Sequence, residues 1–245
     1  YGYRTSFYVV GAMMAVVFFV TLFFVHEEFM PSKREEMMPM KQVFHEMKYP
    51  KLIWGLFITT LVIQAANMSV TPILSLLVSD LLHHGGRVAL VSGIISSLPG
   101  IVTLFTAPFL GALSDKYGPE KILTGGLILA VMTFSAMSFV TNVYQLGVWR
   151  AVLGISDAAL LPAVQSLMVG YVPKQAFGRI FSWNQSFQAM GSVVGPMLGS
   201  VVASIFAYQS VFMMTAIMEI FNFIFLFPIA KAIWQGKKQQ KKVEA

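Results

Sequence analysis

GALSDKYGPEK, residues 111–121, sets one Asp, one Glu, two Lys, two Gly and a Pro between two long apolar runs. Such a turn has to be read against its surroundings. Of 245 residues, 56% are hydrophobic and only 11% charged, and the mean hydropathy is +0.71. That composition lies outside the soluble globular range. A hydrocarbon core about 30 Å thick needs roughly 20 apolar residues in a helix, and the sequence offers seven such runs. They lie near Phe7–Val25, Leu52–Val78, Val88–Leu113, Ile122–Val140, Leu146–Gly170, Ile180–Phe206 and Ser210–Ala230. None alternates apolar and polar residues with the period of a membrane barrel strand. Helices satisfy their own backbone in lipid, so the reading is an all-α transmembrane chain of seven helices.

A formal net charge of +6 raises nucleic acid as a partner, but the placement of the charge argues for a bilayer instead. Fourteen of the seventeen Lys and Arg fall in segments 26–51, 114–121, 171–179 and 231–245. The alternate connections hold only Arg4 and Arg87, and Arg150 lies within a run. Positive residues gather on the cytoplasmic side. This pattern puts the N-terminus outside, and the turn 111–121 and the basic tail 231–245 in the cytoplasm, of a multi-pass protein of the cell membrane.

Within the turn each residue has a physical use. Gly111 lets a neighbouring helix approach closely. Asp115 can accept backbone N–H bonds at a nearby helix N-terminus, where the dipole favours it. Gly118 allows a left-handed backbone, and Pro119 suits a first helical turn. The spacing Gly111-x-x-x-Asp115-Lys116-x-Gly118-x-x-Lys121 resembles the signature loop of the major facilitator superfamily, which joins the second and third helices of each six-helix half. Pro119 and Glu120 stand where that family often carries Arg or Lys. Two further stretches carry the resemblance. Arg150-Ala-Val-Leu-Gly154-Ile-Ser-Asp157, followed by Pro162, looks like the R-x-x-x-G segment in the fourth helix of a half. Gly191-Ser-Val-Val-Gly195-Pro196-Met-Leu-Gly199 is similar to the G-x-x-x-G-P-x-x-G run of drug:proton antiporters, although that run usually sits in the first half.

The resemblance implies a seven-helix fragment of a twelve-helix fold. Residues 1–25 would be the last helix of the N-terminal half and 26–51 the cytoplasmic linker. The C-terminal six-helix half would span 52–230, with 231–245 as the tail. Helices one to five of the same protein are then missing, in keeping with a chain that opens on Tyr1 without a leader or signal peptide. A faint repeat agrees: GYRTSFY (2–8) and AYQSVFM (207–213) open the first and last runs. In the linker, Met40, Val43, Phe44 and Met47 have the spacing of a short amphipathic helix on the membrane surface.

A charge at mid-membrane costs roughly 2.5–3.5 kcal/mol, so ionisable residues within the runs are candidates for chemistry. Asp157 lies about eleven residues into its run, ~17 Å at 1.5 Å per residue. It reads either as a proton-carrying or cation-contacting carboxylate or as a buried helix-to-helix hydrogen bond. Arg150 is nearer the outer end and can snorkel; its seven-residue offset makes a direct pair with Asp157 a stretch. Glu219 shares a face with Thr215 and Asn222 and leans toward packing, because the resemblance makes the last helix peripheral. Polar stripes mark bundle-facing sides: Gln64, Asn67 and Thr71; Ser92, Ser96, Pro99, Thr103 and Thr106; Asn184, Gln188 and Gly191. These are substrate-path candidates or interhelical hydrogen bonds, with Gly191, Gly195, Pro196 and Gly199 for helix packing. Trp54, Phe57, Trp183 and Phe187 offer surfaces for flat or cationic molecules, or anchors at the membrane interface. Sixteen Met suit an adaptable pocket or ordinary packing.

The resemblance implies a secondary transporter, proton-coupled and exporting drugs or other small organic molecules by alternating access. Its gating loop would be Gly111, Asp115, Lys116, Gly118 and Lys121, and its coupling candidates Asp157, Arg150 and Glu219. A sugar or metabolite transporter of the same fold is the alternative. A seven-helix photoreceptor would need a Lys within a run, and the sequence has none there. No paired carboxylates, H-E-x-x-H or Ser-His-Asp set points to an enzyme. No cofactor is expected, and there is no Cys for a thiolate site. The pair His83-His84 lacks a carboxylate at ligand spacing, so no metal is expected either.

Overall fold

The computed structural model describes residues 3–25, 50–83 and 87–243. The described chain is helical: α1 Tyr3–Phe24, α2 Pro50–Val70, α3 Leu74–Leu81, α4 Val88–Tyr117, α5 Pro119–Met137, α6 Val143–Tyr171, α7 Phe177–Ile205 and α8 Gln209–Val243. A single 3₁₀ turn, Lys174–Ala176, leads into α7. Seven of these elements are long and apolar enough to cross a membrane. The chain divides into two compact units, residues 1–37 and 38–245. In the first, α1 is apolar on every side, as a helix in lipid is.

The second unit holds the six remaining spans. α2 packs along α7 on one side and α8 on the other; α8 continues the arc to α5, α5 to α6 and α6 to α4. α2 also meets α6 across the middle. Its core is aliphatic and aromatic: Phe57, Ile63, Leu77, Leu127, Phe134, Leu153 and Phe212 are fully buried. Lipid tails are as apolar as these side chains, so association between helices relies on close packing and on polar contacts.

The closest approach is between α2 and α7. A Cβ on Gly191, Gly195 or Gly199 would collide with the backbone carbonyls of Leu61, Ala65 and Ser69 respectively. The three glycines, at four-residue spacing, let the two backbones touch. Gly154 does the same for α6 against the backbone of Pro99 on α4. There Thr103 Oγ1 donates to the Gly154 carbonyl at 2.8 Å, and on the other flank Ser156 Oγ donates to the Gly126 carbonyl at 2.9 Å.

Two boundaries differ from the sequence reading. The run Leu52–Val78 is not one helix, because Pro72 brings no N–H and disfavours helical geometry at Thr71. The chain passes 71–73 through tight turns, Thr71 N–H to the Met68 carbonyl and Ile73 N–H to that of Val70, and resumes as α3. The last helix does not stop near Ala230 but runs on through the basic segment to Val243. The remaining boundaries of the runs lie within four residues of those of their helices. At 142 the Asn side chain accepts from Gln145 N–H at 2.9 Å and fixes the start of α6. The surface helix read over 40–47 lies outside the described residues, as do His84, Gly85 and Gly86.

Close backbone contact makes a specific demand on α7. In the full-length protein, Gly195→Val is expected to destabilise the fold by about 2 kcal/mol, the scale of overpacking. Gly93→Ala, whose Cβ meets nothing within 4 Å, should leave the melting temperature unchanged or slightly raised. Thermal unfolding of the two purified variants checks this; equal losses would place the close approach elsewhere.

Candidate functional site

Three helices of the six-span unit leave a cavity of about 390 Å³ between them. α2 lines it with Gln64, Asn67 and Met68, and Thr71 closes it at the break; α4 adds Ser96 and Pro99, and α6 adds Arg150 and Asp157. The polar stripe on α2 is built by a helix whose residues 64, 67, 68 and 71 recur on one face. The stripe on α4 divides. Ser96 and Pro99 face the cavity, Thr103 is committed to α6, and Thr106 bonds back to the Val102 carbonyl at 2.8 Å. Ser92 is buried, and its Oγ has no hydrogen-bond partner among the described residues.

Asp157 is the centre of the arrangement. Asn67 Nδ2 donates to Asp157 Oδ1 at 2.9 Å, joining α2 to α6. The carboxylate is partly buried and on the cavity wall, so it is held by the protein on one side and open on the other. Arg150 shares that wall and lies within Coulombic reach of Asp157. It is two turns inside α6, partly buried, and lines the cavity. Its Nε is buried with no hydrogen-bond partner among the described residues. A carboxylate and a guanidinium thus face one polar space within a helix long and apolar enough to cross a membrane, where a lone charge is costly.

A second polar seam runs between α2 and α7. Thr60 Oγ1 donates to Asn184 Oδ1 at 2.8 Å, Gln64 Nε2 to Ser192 Oγ at 3.0 Å, and Gln188 Nε2 to Gln64 Oε1 at 3.4 Å. Gln64 therefore belongs to both the seam and the cavity, while Asn184 and Gln188 are engaged with α2 and do not line the cavity. Beside the seam, Trp54 meets Phe57, Trp183 and Phe187 edge-on, and Phe57 stacks on Phe187 at 5.2 Å. Sequence periodicity could place each of these on a face; nothing in it marks Thr60 and Ser192 as their partners across the interface.

Glu219 does not line the cavity, though it too lies within Coulombic reach of Asp157. It is 1% exposed on α8, where Asn222 Nδ2 donates to its Oε2 at 3.1 Å. One turn earlier Thr215 hydrogen-bonds Ser69 of α2 at 3.0 Å. The face read from the sequence is the one that packs, away from the cavity.

The turn 111–121 joins the end of α4 to the start of α5. Gly118 takes φ +98°, its N–H reaches the Ser114 carbonyl at 2.8 Å, and Pro119 opens α5. The Glu120 carboxylate folds back beneath Gly118 and is buried, a placement that the family pattern of basic residues there does not foreshadow. Asp115 is exposed and makes no hydrogen bond or ion pair among the described residues. Lys116 lies over the ring of Tyr117 and Lys121 over that of Trp234. No group of three or more metal-ligating side chains occurs among the described residues.

If Asn67 positions Asp157, a double-mutant cycle with Asn67→Ala and Asp157→Ala should give a coupling energy of about 0.6 kcal/mol, reaching ~1.7 at most. Thermal unfolding in detergent measures it, and a coupling of zero would remove the hydrogen bond from the account.

Comparison with known proteins adds to this geometry. Residues 56–244 match the family model of the Major Facilitator Superfamily. Multidrug resistance protein MdtG of Citrobacter koseri is 45% identical over 225 residues, 92% of this chain and 55% of the relative. An Escherichia coli protein of the same name matches equally well, with 45% identity and the same coverage. The chain spans about half the length of the curated relatives it matches. Among solved structures, the peptide transporter POT in complex with sulfate superposes with a TM-score of 0.66 at 18% identity, covering 79% of this chain and 42% of that one. At that identity the likeness speaks for the fold.

Proposed function

The chain belongs to the major facilitator superfamily, and on that premise we propose that it forms the C-terminal part of a proton-coupled exporter of drugs or other small organic molecules. In this reading α1 ends the first half and residues 26–51 link the halves on the cytoplasmic side. α2 to α8 are the second half, with the N-terminus outside and the tail in the cytoplasm. The observation that carries the proposal is Asp157: a carboxylate anchored by Asn67 yet open to a cavity of about 390 Å³, midway along a helix of membrane-spanning length. A group so placed can hold a proton when the cavity is empty and give it up when a cationic or polar substrate arrives. The volume is in the range of sites for drug-sized ligands, about 300–1,000 Å³. The name shared by the relatives, multidrug resistance protein, supports organic drugs as the cargo.

Each remaining group takes a role from its position. Arg150 faces the same space and offsets the Asp157 charge in the deprotonated state. Gln64, Asn67 and Thr71 supply hydrogen bonds along α2. The α2–α7 seam and its glycines keep those two helices a rigid pair during rocking of one half against the other. Glu219, buried on α8 beside Asn222 and within Coulombic reach of Asp157, adds a second carboxylate whose charge Asp157 senses. Asp115, exposed at the end of α4, is free to meet the opposite half in one access state and release it in the other.

Cells carrying the full-length gene with Asp157→Asn should lose proton-driven efflux of a fluorescent cationic dye at least tenfold while keeping protein at wild-type level. Asp115→Asn should slow efflux severalfold without changing which dyes are exported. Efflux that remains coupled to the pH gradient in Asp157→Asn would sink the proposal for that residue.

A further inference from the structure

At the end of the bundle where α4 turns into α5, α5 and α8 enclose a second pocket of about 200 Å³, separate from the Asp157 cavity. Its lining is Glu120, Lys121, Thr124, Phe227, Lys231 and Trp234, with Glu120 buried and both lysines exposed. It is smaller than the roughly 300 Å³ at which drug-sized sites begin, and its lining joins two aromatic rings to two lysines. Lys121 Nζ lies 5.1 Å from the centroid of the Trp234 ring, which attracts the ammonium.

The position along the helices narrows the occupant. α8 crosses the apolar layer up to Pro228. Lys231 and Trp234 follow within two turns, where Trp marks the membrane–water boundary and Lys reaches for headgroups. Beyond them the sequence carries Lys237, Lys238, Lys241 and Lys242. A basic run directly after a span attracts anionic lipid by about 1 kcal/mol per residue, and basic pockets between spans take lipid headgroups. Glu120 is 4% exposed and already engaged within the protein, so it shapes the pocket while the two exposed lysines set its charge.

We propose that the α5–α8 pocket binds the headgroup of an anionic phospholipid. The phosphate sits between Lys121 and Lys231, and the glycerol and first chain carbons lie on Phe227 and Trp234. The site does not depend on which molecule the protein exports or on how transport is coupled. Its consequence is local: a lipid there would clamp the start of α5 to α8 beside the turn 111–121.

Native mass spectrometry of the delipidated full-length protein tests this, with phosphatidylglycerol, phosphatidylethanolamine and phosphatidylcholine added in equal amounts. Phosphatidylglycerol should be retained severalfold over both zwitterionic lipids. K121Q/K231Q should erase the preference at an unchanged melting temperature, and K121R/K231R should restore it. A variant with Gln at the four tail lysines should keep it. Equal retention of phosphatidylethanolamine, a preference that survives K121Q/K231Q or disappears only with the tail lysines, or retention of inorganic phosphate in place of lipid would overturn the assignment.

Discussion

The polar contacts of α2 depend on two backbones touching. Lipid supplies no hydrogen-bond partners, so polar side chains at membrane depth must find one another across helices. α2 is where they do so. Because Gly191, Gly195 and Gly199 bring α7 against the carbonyls of Leu61, Ala65 and Ser69, short side chains on the two helices can span the gap. The same helix reaches α6 through Asn67 and Asp157 and α8 through Ser69 and Thr215. With α2 fixed on these sides, the face bearing Gln64, Asn67 and Thr71 is left turned to open space. The cavity results from that packing and is not a loop-built addition to it.

The helices were legible because length and hydropathy are nearly sufficient where lipid is the solvent. The turn 111–121 was legible because Gly118 permits the positive φ taken there and Pro119 suits the first turn of a helix. Asp157 could be singled out because a charge at that depth is rare, and Glu219 could be grouped with Thr215 and Asn222 from the helical period. Partnership across helices was hidden, since periodicity gives a face and not what stands opposite. For Asn184 and Gln188 the face alone leaves path residues and interhelical hydrogen bonds open, and the structure shows both bonded to α2. For Arg150 it leaves the interface and the cavity open, and the structure shows it on the cavity wall. The break at 71–73 was overlooked because Pro72 sits in an unbroken apolar run, and the extent of α8 because its last residues carry charge that hydropathy reads as a tail.

The Asp157 cavity and the turn 111–121 differ in physical character. Around Asp157 the groups are few, charged or amide-bearing, and left with spare hydrogen-bonding capacity, as the unpartnered Arg150 Nε illustrates. Around the turn 111–121 the groups are at the membrane edge, where Lys and Trp are cheap to expose. The first arrangement suits a proton and a substrate that exclude each other; the second suits contacts that form and break as helices tilt. Between them the α2–α7 seam is committed to itself, which lets the cavity change shape without the pair coming apart.

The central claim is that Asp157 exchanges its proton for the substrate. Proton release on binding measures this directly, using the purified full-length protein in weakly buffered detergent with a pH indicator and a permanently charged organic cation as ligand. Wild-type protein should release a proton as each cation binds, and Asp157→Asn should bind without release. Undiminished release from Asp157→Asn, or binding by the wild type with no release at any pH, would contradict the account.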